Sequence, residues 1–305
     1  MDLSQSSKAL SDPLSDVLTV LGATVTRRTR LEAAGQWALK FPALDRLKFV
    51  AVLRGTIWLV VPGRDPQLMN AGDVCLIGRT TYAVTSDPER PPIDGQPLYD
   101  GRDVVRLGGD DTIVLGGTVT FSPENADFLL DTLPGWLMVP RTSPASDAVT
   151  TILTLLDAEA KRGAMGSQIV SARLADVLLV EAIRAYAQGP PDVQTGWLGA
   201  VSDPRLGRAI RAIHGDVAQP WTVAQLAGLA GMSRAAFSAA FTRQVGQPPL
   251  SYVRTWRLTL ARAALARGDA DIATIGNKLG YTSQSAFTHA FRSAFGATPK
   301  AFARA

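Results

Sequence analysis

The chain has 305 residues, 46% of them hydrophobic and 19% charged, with 31 Lys and Arg against 27 Asp and Glu. That balance suits a globular protein of about two domains, and no run approaches the eighteen or more apolar residues of a membrane-spanning helix, so no membrane partner is expected. A single cysteine, Cys75, excludes an internal disulfide framework and fits a reducing, cytoplasmic location, and the opening MDLSQSSKALSDP shows no basic-then-apolar leader.

Charge is distributed unevenly. Residues 204–305 hold 13 Lys and Arg against 3 Asp and Glu, whereas residues 1–203 hold 18 against 24. A basic C-terminal third on an acidic remainder points to a polyanionic partner for that third, although a solvated basic surface gives the same count.

In chain order, Asp12 to Leu21 reads as a short helix, with Asp12 at the N-cap and Pro13 in the first helical position. From about Thr24 to Val139 the pattern changes to short runs of Val, Leu, Ile, Trp and Thr separated by Gly, Pro and Asp. Leu47–Leu53, Thr56–Val61, Asp73–Ile77, Asp103–Leu107 and Thr112–Phe121 are the clearest strands, and Arg54-Gly55 and Pro62-Gly63 read as tight turns. Many short strands at this spacing predict a barrel or sandwich. Trp37, Phe41, Trp58 and Tyr82 are candidates for an effector pocket in it, against the plainer reading that strand aromatics are core. Cys75, in an apolar strand, reads as a small buried hydrophobe rather than a redox sensor.

Past Pro140 the period becomes helical. Ser146–Lys161 and Ser167–Tyr186 each carry an apolar stripe, the second wide enough to be contacted from two sides. Gln188 to Asp203, rich in Pro and Gly, reads as a linker. Asp203-Pro204 opens a helix running to about His214, with Leu206, Ile210 and Ile213 on one face.

The last third carries one pattern twice. LAGLAGMSRAAFSAAFTRQVG (Leu226–Gly246) aligns with IGNKLGYTSQSAFTHAFRSAFG (Ile275–Gly296), setting Ser233 on Ser283, Phe237 on Phe287, Phe241 on Phe291 and Gly246 on Gly296, with Thr282 as one extra residue. Two copies of one supersecondary unit, each with the grammar of a helix-turn-helix, are expected at about 221–246 and 271–296. Thr222 and Ser233 are N-cap candidates, and Gly231 supplies a positive φ in the turn. Phe237, Ala240 and Phe241 fall at inward i, i+3, i+4 spacing, leaving Ala235, Ser238, Ala239 and Thr242 outward. In the second copy Ile275, Leu279, Phe287, Ala290 and Phe291 are expected core, with Gln284, Ser285, Thr288 and His289 exposed. Between the copies, Leu250–Arg267 reads as one helix on the order of 27 Å long.

The strand, Arg-Gly turn, strand and AGDVCLIG order of Val50–Val61 and Ala71–Gly78 resembles the cupin-like sensor half of AraC-type regulators. Ala227, Gly231, Ser233, Phe237, Phe241, Gly246 and Arg257, and then Gly280, Tyr281, Ser283, Phe287, Phe291, Phe295, Gly296 and Pro299, resemble that family's DNA-binding domain; Phe302 stands where a Tyr is common. The resemblance implies an α+β multidomain protein: a cupin-like β-barrel with following helices over 1–188, a linker over 189–203, and an all-α double helix-turn-helix domain over 204–305. It also implies a transcription regulator, commonly an activator, binding double-stranded DNA in two successive major grooves, working with RNA polymerase, controlled by a small-molecule effector, and dimerising through the helices after the barrel.

Carried over by position, the base-reading residues are Ala235, Ser238 and Ala239 in the first recognition helix and Gln284, Ser285 and His289 in the second. Arg234, Arg243, Arg292 and Lys300 are the phosphate anchors. Alanine can meet a thymine methyl but donates no hydrogen bond, whereas Gln284 can read adenine bidentately, so discrimination is expected to rest more on the second helix. The only two histidines, His214 and His289, both lie in the C-terminal third. Metal-dependent cupin chemistry and a Ser-His-Asp set in the barrel are therefore not expected, and no cofactor, metal or catalytic residue is assigned. Two alternatives stay open: an enzyme using a carboxylate pair in the barrel, and an effector-independent regulator whose barrel serves only dimerisation or partner contacts.

Overall fold

A computed structural model describes residues 12–121, 135–143, 146–189 and 196–303. The first eleven residues and linker residues 190–195 lie outside the described residues. The described chain divides into two compact units, one formed by 24–121, 135–143 and 146–189, the other by 12–23 and 196–303.

The first unit is β-rich. Its strands are β1 (Thr24–Ala33), β2 (Ala38–Phe41), β3 (Leu47–Arg54), β4 (Thr56–Val60), β5 (Gln67–Asn70), β6 (Val74–Ile77), β7 (Tyr82–Thr85), β8 (Ile93–Asp94), β9 (Val104–Leu107), β10 (Thr112–Thr120) and β11 (Trp136–Val139). They form a six-stranded sheet in the order β11-β6-β3-β10-β1-β9 and a five-stranded sheet in the order β5-β4-β7-β2-β8. Pairing is antiparallel except between β1 and β9 and between β2 and β8. The core lies between the sheets, with Leu31, Val50, Val52 and Ile77 from one side and Leu39, Ile57, Leu59 and Val84 from the other. β3 is central, and its residues from Leu47 to Val52 are all buried, which is why that run reads as nearly continuous apolar sequence. Cys75 is fully buried, and burial pushes its thiol up, so it carries no reactive thiolate.

Two helices complete this unit, α2 (Ser146–Arg162) and α3 (Ser167–Ala187). α2 buries Val149, Ile152, Leu153 and Leu156, and α3 buries Ala175, Leu178, Leu179, Ala182 and Ile183. Polar ties fix them to the large sheet: Asp176 accepts the Val25 amide at 2.8 Å, and Arg30 meets Asp157 at 2.9 Å. Four large apolar residues of the pair, Leu155, Ile169, Val170 and Val177, are exposed among polar neighbours such as Thr151, Thr154, Gln168 and Arg173.

The second unit is all α. It comprises α1 (Pro13–Val20), α4 (Gly196–Ser202), α5 (Leu206–Gly215), α6 (Val223–Ala230), α7 (Arg234–Val245), α8 (Pro249–Arg267), α9 (Ile272–Lys278), α10 (Gln284–Phe295) and α11 (Pro299–Phe302). Asp12 caps α1 by accepting the Leu14 amide. Three sequence expectations change here. α1, assigned with the barrel, packs with α5 and α8 instead. The 189–203 stretch is not all linker, because Gly196–Ser202 is a helix whose Trp197, Leu198 and Ala200 are buried against this unit. Asp203 caps the following turn, accepting the Arg205 and Leu206 amides at 2.8 Å, so the helix begins at Leu206 rather than at Pro204.

Candidate functional site

The two helix-turn-helix units, α6–α7 and α9–α10, are built alike. Thr222 and Gln225 form a reciprocal capping box at the start of α6, and Asp271 caps α9 through the Thr274 amide at 2.8 Å. Gly231, at φ 65, makes the first turn. Ser233 and Ser283 then cap the recognition helices, accepting the Ala236 and Ala286 amides at 3.3 and 3.1 Å. Phe237 and Phe241 in α7, and Phe287 and Phe291 in α10, are fully buried, each contributing roughly 1.5–3 kcal/mol. Ala227 and Gly276 occupy matched positions for close helix approach, and a Cβ on Gly276 would stand 3.2 Å from the Phe287 ring.

α8 joins the units and packs against both recognition helices. Arg257, midway along it, donates to the carbonyls of Val217, Ala218 and Gln219 at 2.8, 3.2 and 2.7 Å. Gly280, in the turn of the second unit at φ 81, lies so close to the same segment that a Cβ would be 2.3 Å from the Ala218 carbonyl oxygen. The loop ahead of the first unit is thus held by both the connecting helix and the second turn.

The proposed reading residues fall on the outer face. Ala235, Ala239, Gln284, Ser285 and His289 are exposed, and Ser238 is half-buried, as is Thr288. Arg234, Arg243, Arg292 and Lys300 are also exposed. None of these four makes an ion pair among the described residues, whereas Arg30, Arg54, Arg106, Arg162, Arg173 and Arg184 of the β-rich unit all do. The three acids of residues 204–305 are engaged locally: Asp271 caps, Asp216 accepts the Gln219 amide, and Asp269 pairs with Arg267. The recognition faces are therefore flanked by cations with no internal counter-charge, the electrostatic condition for phosphate binding.

Behind this surface runs a buried polar chain. The Trp197 indole donates to the Tyr252 hydroxyl at 2.7 Å, that hydroxyl meets His214 Nε2 at 2.7 Å, and His214 Nδ1 meets Asp16 of α1 at 3.2 Å. Trp256 stacks on the His214 ring at 4.4 Å. Neutral His214 with its proton on Nδ1 satisfies every link, and burial holds its pKa below the ordinary value against the opposing pull of Asp16.

The β-rich unit contains a cavity of about 350 Å³. Phe41 and Tyr82 line it, their rings 5.2 Å apart. The other two pocket candidates do not. Trp58 alternates with the inward Ile57 and Leu59 and so sits on the opposite face of β4, and Trp37 is a core residue bordering a separate depression with Pro91 and Ile93. Sequence reasoning missed Lys48, Arg46 and Tyr99, which also line the cavity. The available signal was a lysine inside the apolar run LKFVAVL. No cluster of three or more His, Cys, Asp or Glu suited to a metal occurs among the described residues, and no described helix is long and apolar enough to cross a membrane.

A two-sheet cupin unit followed by two helix-turn-helices on one connecting helix defines a DNA-binding regulator with a separate N-terminal module. The Cupin family model matches residues 12–188 and the Helix-turn-helix domain model residues 226–305. A putative AraC-like transcription regulator of Streptomyces lividans is 38% identical over 295 residues, covering 94% of this chain and 96% of that one. The HTH-type transcriptional regulator AlkR of Acinetobacter baylyi is 28% identical over 300 residues, covering 95% and 98%. A crystal structure of an AraC-type transcriptional regulator from Chromobacterium violaceum matches 34% of this chain and 94% of its own at 28% identity, with a TM-score of 0.32. The chain belongs to the AraC-like transcription regulators, and its function is DNA-binding transcription regulation.

Proposed function

We propose that this protein is a cytoplasmic, non-enzymatic activator that places α7 and α10 in two successive major grooves on one face of double-stranded DNA, and that its cupin unit binds a small-molecule effector. The observation that carries the reading is the pair of matched recognition helices, each with an exposed outer face and, beside it, cations that form no ion pair among the described residues. Gln284, Ser285 and His289 read bases in α10, and Ala235, Ser238 and Ala239 make the weaker contribution of α7. Arg234, Arg243, Arg292 and Lys300 hold phosphates and set register. The domain limits follow as 1–188, 189–203 and 204–305, amended by α1 and α4.

Homodimerisation through α2 and α3 is supported by their exposed Leu155, Ile169, Val170 and Val177. Contact with RNA polymerase belongs to the activator reading. Equilibrium binding of the full chain to DNA upstream of its own gene tests the core of this account, with affinity at least about 10³-fold above unrelated DNA at equal salt expected. Equal affinity for both would refute sequence-specific regulation. Run-off transcription with polymerase then decides the sign of control, reduced transcript meaning repression.

A further inference from the structure

The cavity of the β-rich unit holds a buried cation with no counter-charge among the described residues. Lys48, in the middle strand of the large sheet, is 8% exposed. Its ammonium lies 5.5 and 5.2 Å from the ring centres of Phe41 and Tyr82. It has no hydrogen-bond or ion-pair partner among the described residues, unlike Arg30 in β1 of the same sheet, which meets both Glu32 and Asp157. The other basic groups at the cavity are Arg27, which donates to the Tyr99 carbonyl and faces Asp103 at 3.8 Å, and Arg46, which makes no ion pair among the described residues; the acid in the lining is Asp100, which forms no salt bridge with Lys48. Burial, and secondarily Arg46, lower the Lys48 pKa to about 8, so the ammonium is charged at neutral pH but poorly stabilised. Aromatic faces offset only part of the cost of burying a cation. Leu31, Val50, Val84 and Val114 give the wall its apolar part, Thr29, Gln96 and Thr118 a polar part, and the volume is at the lower end for small-molecule sites.

We propose that this cavity takes a small organic acid, its carboxylate held by Lys48 and its apolar body against Phe41 and Tyr82. The inference rests on the effector reading above and specifies its chemistry. A carboxylate supplies the missing counter-charge in a site of low dielectric, where such a contact is strongest. Lys48 is the buried cation among the lining residues, which favours a carboxylate there and disfavours a metal cation.

The test uses the full-length protein and isothermal calorimetry at pH 7 with benzoate, phenylacetate and octanoate, each beside its methyl ester. At least one acid is expected to bind, with its ester at least about tenfold weaker. Lys48→Met should remove that preference, and Lys48→Arg should keep most of it. If Lys48→Met does not fold, by circular dichroism, the acid-ester comparison on the unaltered protein decides alone. Esters binding as tightly as their acids, or Lys48→Met keeping the preference, overturns the anion assignment while leaving an effector site intact. Absence of binding by every acid and every ester overturns this proposal and counts against the effector reading as well.

Discussion

Gly280→Ala probes the joint between the two helix-turn-helix units. Gly280 has φ 81, a region that costs a residue with a Cβ about 1–2 kcal/mol. The added carbon would also lie 2.3 Å from the Ala218 oxygen, a backbone atom in the segment that Arg257 clamps, so it cannot rotate away as a side chain could. Gly296 isolates the two contributions: its φ is 74, yet no atom lies within 4 Å of a Cβ there. Gly296→Ala should therefore cost only the backbone term. Gly280→Ala should cost roughly 1–3 kcal/mol more, in the range of forced overpacking. Urea unfolding of both variants, following the transition of the helical unit by tryptophan fluorescence, measures the difference. Equal destabilisation by the two substitutions would refute the close contact between the second turn and the 217–219 segment.

Three further outcomes follow from the same geometry. Gln284→Ala should lose about 1–3 kcal/mol of discrimination at one base position, and Ser238→Ala less; an operator-variant scan giving the larger loss to Ser238→Ala reverses the division between the helices. Arg292→Ala should weaken specific and non-specific DNA about alike and flatten the slope of log affinity against log salt by about 0.9; an unchanged slope removes Arg292 from the phosphate contacts. The buried His214 sets an acid limit: its folded pKa is depressed, so below the ordinary value of 6.5 the unfolded chain takes up the proton first and the helical unit loses stability as pH falls. Denaturation midpoints at pH 7.5, 6.5 and 5.5 should decline more across the lower interval than the upper, with a shallower decline in His214→Gln; identical pH profiles for the two proteins would contradict it.

The duplicated unit was legible because its determinants are local. Ser233 and Ser283 reach amides three residues on, and Phe237 with Phe241, like Phe287 with Phe291, repeat at the helical period whatever surrounds them. The same holds for β3 and β4, whose apolar runs flank an Arg-Gly turn. What stayed hidden depends on distant partners. A Pro- and Gly-rich stretch gave no sign that Trp197 would be buried with its indole on Tyr252, fifty-five residues away. Nothing near Asp16 announces His214 as its partner across 198 positions, so sequence order alone groups α1 with the barrel that follows it. Strand alternation divides a run into two faces without naming the inner one, so pattern alone points to Trp58 and passes over Lys48.

The central claim is that two recognition helices on one rigid connection read one face of a duplex. Hydroxyl-radical footprinting of the purified full chain on DNA upstream of its own and neighbouring genes tests it most directly. The account predicts paired protections about 10 base pairs apart on one face of the helix, with the half assigned to α10 fading in Gln284→Ala. A single protected patch, or uniform protection without preferred sites, would contradict it.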